Sequence, residues 1–526
     1  MKMCYTLDAE TDPFEHGEVP APFLWGLYGG GTDYREFENT SDVIKYLTDM
    51  PVVVYAHNGG KFDFHFLLPY IPADTEMTVI NGRIAKFKIG KCEFRDSYCV
   101  LPMPLSAYKK DEIDYKIFKK GVRDIPENSY KIRQYLRSDC VYLRELVMGF
   151  RATYGDSLTI AGAAMKFWQK NSRTAAPSST RGYYNSLGQY YYGGRVEAFV
   201  AGEANYDFGV VDINSAYPAA MLASHPYGMV QDVSDELPAT RDEISRAFID
   251  ISCLAVGVFP HRGRDGSLNF PYDWAMTNFH VTGWEYLAAL DAGALVDATV
   301  TRVVSFRDKI EFSAYVDHFY TIKSSSPKGD PAYIFAKLFL NSLYGKFAAN
   351  PEKYTEFKTV PANLIAVYED AGYSYAQKIS KNVVVMSTPL EDAKHRYYDI
   401  AVAASITGYV RAQLWRAMSI CDGVMYCDTD CIVCVDYSKL NLSTTDLGAW
   451  DVEKTCNYGA IAGKKLYAFR GHDGEWKTAS KGARLTHDEI VRVAKGETVE
   501  YASAAPTFSI KRGVSFISRK IKKVVK

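Results

Sequence analysis

No run of about 18 consecutive apolar residues occurs in this 526-residue chain, so no membrane-spanning helix is expected. Residues 1–8 lack the apolar core of a signal peptide, which argues against export. An excess of charge of one sign is also missing. The 61 Lys and Arg stand against 62 Asp and Glu, a formal net charge of −1. Bulk charge therefore gives no support for a polyanionic partner, although a basic groove can coexist with acidic sites elsewhere. The ten cysteines, Cys4, Cys92, Cys253 and Cys456 among them, lack metal-ligand spacing. That excludes a zinc site and a disulfide framework and points to reduced thiols in a cytosolic compartment. No internal repeat is present.

What the chain has is length enough for two or more cores. Residues 171–182 are rich in Ser, Thr, Ala and Arg and read as a linker, separating a first block of about 165 residues from a larger second one. A second loose stretch, 324–329, precedes a strong helix. Apolar strand-like runs at 51–56, 209–211, 424–427 and 432–435 alternate with helical periodicity, so the class is mixed α/β. The tail from Lys511 to Lys526 is basic without an acid. It suits a solvated tail as well as a phosphate-tracking one.

Acids in the first block fall on three separated segments. Asp8 and Glu10 follow a strand at 3–7, and their i, i+2 spacing puts both on one face. Asp63 opens a short aromatic helix after the glycine turn at 59–60. Asp139 lies within the apolar stripe of a helix over 130–150, one turn after Tyr135. An ionised carboxylate on an inward face needs a cation or strong donors. Four such acids suit a pair of Mg²⁺ ions for phosphodiester hydrolysis, with Tyr135 holding the attacking water. Taken one at a time, Asp8, Glu10 and Asp63 also read as surface or helix-capping acids.

In the second block, Asp212 ends a buried-type strand, and Asp428 and Asp430 sit at the turn of a hairpin. An isolated Asp-Thr-Asp is a common turn sequence. Its partner is a helix that Asp330 caps and Pro331 opens, on which Lys337, Asn341, Tyr344 and Ala348 form one stripe. A lysine, an amide and an aromatic on one face suit a nucleoside triphosphate, although a snorkelling lysine beside core residues reads the same way. Together these residues suggest two-metal phosphoryl transfer: Asp212 and Asp430 hold the ions and Lys337 neutralises the triphosphate.

The segments Asp212 to Pro218, Lys337 to Gly345 and Tyr426 to Asp430 resemble, in order, the three polymerase motifs of family B DNA polymerases. Asp8 with Glu10, Asn58 to Asp63, and Tyr135 with Asp139 resemble that family's three exonuclease motifs. Tyr191, Gly193 and Gly194 resemble the linker motif of the protein-primed phage subgroup. Lys110 resembles its extra exonuclease lysine, and Lys465 with Tyr467 its primer-gripping motif. Residues 404–408, 447–450 and 56–63 are similar to tectivirus-type phage polymerases. Ser97 and Tyr98 depart from the Ser-Leu start of the motif that contacts single strands, so that site is not carried over.

The resemblance implies an RNase H-like 3′→5′ exonuclease domain at 1–165 and a polymerase domain at 166–526. The latter would comprise a palm, an insertion at about 224–320, a fingers helix at about 330–349, an insertion at about 350–390, and a thumb at about 470–526. It also implies that Asp212 and Asp430 are the main metal ligands with Asp428 supporting. Tyr217 would exclude a ribose 2′-OH, and Lys323 and Lys337 would contact the dNTP. Arg411 and Lys465 would touch the DNA backbone, and Asn58 and Phe62 would hold a single-stranded 3′ end. The implied cofactor is Mg²⁺, with Mn²⁺ as a substitute. The implied partners are primer-template DNA, single-stranded DNA, dNTPs and a terminal protein that primes synthesis. The implied setting is a monomer in the cytoplasm of a bacterial host. Two rivals keep the fold: an enzyme primed by nucleic acid, and a catalytically silent scaffold.

Overall fold

The helix Pro331–Phe347 shows how closely local sequence dictates local structure. The Asp330 side chain accepts from Ala332 N at 2.7 Å, and Pro331 occupies the first turn, where no backbone donor is needed. Ile334, Phe335, Phe339, Leu340, Leu343 and Phe347 are buried, while Lys337 and Asn341 stay exposed on the opposite stripe. A computed structural model describes residues 2–172, 186–349, 354–390 and 398–524.

The fold is mixed α/β, as expected. In the first block, strand Cys4–Thr11 pairs antiparallel with Pro22–Gly30 and parallel with Val53–Ala56, which pairs parallel with Cys92–Asp96. Helix Pro126–Tyr154 lies across this sheet and runs beyond the 130–150 expected from periodicity. Gly26 lets it approach, since a Cβ there would stand 2.8 Å from Leu136 Cγ. The close approach carries Asp139 toward the strand of Asp8 and Glu10.

The second block is organised on an eight-stranded antiparallel sheet whose centre is Phe208–Ile213, flanked by Cys431–Cys434 and Trp450–Gly463. Helices Pro331–Phe347 and Ile400–Met418 share one buried core with that sheet through Phe339, Ile406, Val211 and Ile432. A separate four-stranded sheet of His225–Ser234, Thr299–Ile310, Phe248–Leu254 and Met276–Thr282 fills the first insertion.

Three boundaries differ from the sequence expectation. The split at 165 falls inside helix Ile160–Ser172, which packs into the second block's core, with Trp168 and Phe347 ring centroids 5.7 Å apart. Most of the expected linker at 171–182 lies outside the described residues. Within the stretch expected as the second insertion, Phe357 pairs with Met77, so this segment extends the first block's sheet to ten strands. The eight-stranded sheet runs on through Leu466–Gly471 and Trp476–Ser480, past the expected start of the thumb near 470. Beyond it, the hairpin Thr507–Ser509 with Gly513–Ser515 reaches back to the first block, where Ile510 is buried beside Phe357 and Val385. Among the described residues no helix is long and apolar enough to cross a membrane.

Candidate active sites

Asp212 pairs across the sheet with Cys431 on one side and Asp451 on the other. The turn after Asp428 is pinned above that strand end. Thr429 takes φ +63°, Asp430 N donates to Asp428 O at 2.7 Å, and Ile213 N donates to Asp430 O at 2.8 Å. Burial first, and then the charges of Asp430 and Glu453, push the Asp212 carboxyl up to about 7. Asp430 is also raised, chiefly by burial. Lys477, whose charge acts on Asp212, is itself ion-paired to Glu453. Asp428 differs from both. It receives Lys465 Nζ at 2.8 Å and the Thr429 hydroxyl at 3.1 Å. Asp212 and Asp430 are thus both half-buried, with the charge of Asp430 acting against Asp212, while Asp428 is compensated within the protein. Tyr467 stacks on Phe469 at 4.4 Å and meets Tyr426 edge-on at 5.1 Å, which fixes the strand that presents Lys465.

Beside this turn, residues from three segments converge. The Tyr217 and Tyr344 rings stack at 4.2 Å and 2°. Lys323 Nζ donates to Ser215 Oγ at 2.9 Å, and Ser215 takes φ +55°. Burial and then the neighbouring Lys337 and Lys328 lower the Lys323 ammonium below its usual range. Crowded lysines with an exposed Asn341 and a tyrosine stack make a cradle for an anionic, ring-bearing ligand.

One expected contact is corrected. Arg411 is only 2% exposed and does not present its charge to a groove. Its Nε donates to Glu285 Oε1 at 2.8 Å, and one terminal nitrogen donates to the Tyr192 and Gly193 carbonyls at 2.7 and 2.9 Å. A buried guanidinium needs such partners, and these hold two of its three nitrogens within the protein, while the other terminal nitrogen is buried without one. The segment of Tyr191, Gly193 and Gly194 lies directly against the Asp428–Asp430 turn. A Cβ on Gly194 would stand 2.7 Å from Thr429 Oγ1.

The first-block acids do come together. Asp8, Glu10, Asp63, Asp139, Lys110 and Tyr135 line a cleft of about 450 Å³. Lys110 Nζ stands 3.5 Å from Asp139 Oδ2, and the hydroxyls of Tyr135 and Tyr115 are 2.9 Å apart. Glu10 Oε1, Asp63 Oδ1 and Asp139 Oδ1 are buried with no hydrogen-bond partner. Burial first, then neighbouring acids, raise Asp8 strongly and bring Glu10 to about 8; burial brings Asp63 to about 7. Orphaned hard oxygens of this kind fit divalent cations. Among the described residues, however, no three His, Cys, Asp or Glu side chains close into a metal cage by themselves.

These raised values carry a sign. A carboxyl whose folded pKa is raised stabilises the fold below its unfolded pKa and loses that contribution as pH rises through the folded one. With divalent ions chelated, the melting temperature should therefore fall between about pH 5 and pH 8, the window set by Glu10 and Asp63. Adding Mg²⁺ at pH 8 should restore it; a flat profile in chelator would contradict the burial of these acids.

Asn58 takes φ +62°, and its side-chain carbonyl accepts from Arg83 at 2.7 Å. Phe62 meets Phe14 at 5.7 Å and Phe508 at 5.6 Å. Sequence reasoning missed Phe508, which lines the same cleft from the C-terminal hairpin. It also missed Arg83, Glu285 and Phe14. Nothing in the spacing of these residues marks them.

A family model described as DNA polymerase type B, organellar and viral, matches residues 101–388, more than half of the chain. The chain is 34% identical to a DNA-directed DNA polymerase of Enterobacteria phage PRD1, over 98% of this chain and 97% of that one. The fold is similar to phi29 DNA polymerase in complex with primer-template DNA and incoming nucleotides, at TM-score 0.76 and 18% identity with both chains fully covered. It is similar also to that polymerase with single-stranded DNA, at TM-score 0.74 and 20% identity, again over both full chains. With a family model over more than half of the chain and a phage relative at 34% identity over nearly all of it, the chain belongs to the family B DNA polymerases of phage type, as a DNA-directed DNA polymerase.

Proposed function

We propose that this polymerase synthesises DNA at Asp212 and Asp430, proofreads with a 3′→5′ exonuclease at Asp8, Glu10, Asp63 and Asp139, and starts synthesis on a terminal protein. One observation carries the synthetic assignment: the repelling pair Asp212 and Asp430 lies beside the cradle of Lys323, Ser215 and the Tyr217–Tyr344 stack. Asp212 and Asp430, and in the first block Asp8, Glu10, Asp63 and Asp139, would hold Mg²⁺ or Mn²⁺. Such ions, when bound, stabilise the charge that develops on attacking and leaving oxygens.

The chain's own residues do the rest. Lys323 and Lys337 offset triphosphate charge, Asn341 offers an amide on the same face, and Tyr344 supplies a ring for the base. Lys465 holds Asp428 and tracks the primer backbone, with Tyr467 behind it. Tyr217 stands where a ribose 2′-OH would arrive. Replacing it, Tyr217→Val, should raise ribonucleotide incorporation by about 10- to 100-fold, the range for relieving one contact of ~1–3 kcal/mol. Unchanged discrimination in competition assays would remove Tyr217 from that role.

In the nuclease, Asn58 and Phe62 would hold the frayed 3′ end, Lys110 would neutralise the scissile phosphate, and Tyr135 would orient water. Strand displacement is supported by a channel of about 1830 Å³ between the first block, the second insertion and the linker, lined by Lys61, Arg83, Arg262, Lys346 and Lys511. Cations with interleaved Tyr98 and Tyr191 suit a single template strand.

Protein priming is supported by the kinship with phage polymerases and by the two insertions, which fold as a separate sheet and as an extension of the first. The test incubates the chain with Mg²⁺, a candidate terminal protein and one labelled dNTP. Label should stay on the protein after denaturation. Genomic 5′ ends free of protein would favour a nucleic-acid primer instead.

A further inference from the structure

A chain of contacts runs from the first insertion to the catalytic turn. Glu285, 3% exposed, lies in helix Gly283–Asp291 of that insertion. One of its oxygens accepts from Thr282 N at 3.0 Å and Thr282 Oγ1 at 2.8 Å, and the other accepts from Arg411. Gly408 permits this approach of the two helices, because a Cβ there would fall 2.2 Å from Thr282 Oγ1. Arg411 then binds the carbonyls of Tyr192 and Gly193, and Arg262 binds that of Tyr191 at 2.9 Å. The next residues reach the active turn itself. Gly194 abuts the Thr429 side chain, and the Arg195 carbonyl accepts from Thr429 N at 2.6 Å.

We propose that the buried Glu285–Arg411 pair is a positioning device for synthesis. It clamps the linker backbone so that Gly194 and Arg195 hold Thr429 in its left-handed conformation, and so set where Asp428 and Asp430 point. Both residues are positioning residues that touch neither substrate nor reacting atoms. The pair suits the task because a planar guanidinium reaches a carboxylate and two carbonyls at once, which an ammonium on a flexible stem does not reproduce. Glu285 keeps the buried charge balanced; without it Arg411 would be drawn toward water and the linker released.

The inference rests on placing the synthetic site at the Asp428–Asp430 turn, and Asp430→Asn tests that placement separately. If Asp430→Asn leaves synthesis intact, the placement fails whatever the pair does. The test of the pair compares Arg411→Lys and Glu285→Gln in single-nucleotide incorporation and in primer-template binding across a salt series. Both should lower kcat on the order of 10²-fold, the cost of an ångström-scale misplacement. KM for the dNTP and the salt slope of Kd should stay at the parent value. If Arg411→Lys instead weakens DNA binding and lowers the slope by about one, while Glu285→Gln is normal, Arg411 is a phosphate ligand and the proposal falls. Parent kcat in both also overturns it. Should either variant fail to fold by thermal melting, Gly194→Ala decides, because it presses on Thr429 without disturbing the buried pair. A kcat loss of similar size supports the clamp, and parent kcat overturns it.

Discussion

Asp430→Asn should abolish nucleotide incorporation, with a loss on the order of 10³-fold or more, while single-stranded DNA is still degraded at the parent rate. The substitution keeps size and hydrogen-bonding capacity but removes one charge of a half-buried pair, and with it several kcal/mol of transition-state charge stabilisation. Asp212→Asn should behave alike, since its carboxyl is raised by burial and by Asp430. Asp428→Asn should cost less. Its carboxylate is already held by Lys465 and Thr429 and shapes the turn from within. Primer extension and degradation of a labelled single strand, run on the same preparations, measure all three. Synthesis retained by Asp430→Asn would sink the assignment.

The reverse separation belongs to the first block. The double variant Asp8→Ala, Asp63→Ala should lose degradation of single-stranded 3′ ends by a comparable factor and keep primer extension. The acids lie on strand Cys4–Thr11 and on helix Asp63–Leu67, whereas Asp212 and Asp430 lie on a different sheet. The same variant carries a second expected result. Asp8 and Asp63 are raised by burial, so without divalent ions their burial costs the native state more as pH rises above the ordinary carboxylate range. Removing both should raise the melting temperature in chelator, even as nuclease activity disappears. Residual nuclease activity would refute the site; a lowered melting temperature would mean that the two acids contribute structure instead of strain.

The sequence reached some of these features for definite physical reasons. Helix Pro331–Phe347 was legible because its cap, its first-turn proline and its apolar stripe are all local. The strands ending at Asp212 and Asp428 were legible because buried strands read as continuous apolar runs. Asp139 was legible as a functional acid because it interrupts such a stripe. Other features had no local signature. Asp428 and Asp430 read as an ordinary turn until the order of the motifs was considered. The resemblance made Arg411 a DNA-backbone contact, and only the fold puts Glu285 against it from 126 positions away. The joining of the second insertion to the first block depends on a strand pairing between Met77 and Phe357. No periodicity encodes that pairing.

By itself, then, the sequence marked which acids, lysines and tyrosines are candidates for the chemistry, and which helices and strands carry them. Caps, periodicity and motif order act over a few residues and need no knowledge of the rest of the chain. Tertiary structure alone decided which charges face a ligand and which are spent inside the protein. It left Asp212 and Asp430 raised by their half-buried setting, answered Asp428 with Lys465, and buried Arg411 between Glu285 and the linker. The reason is that a charge's role depends on what is within a few ångströms of it, and those neighbours come from segments far apart in the chain.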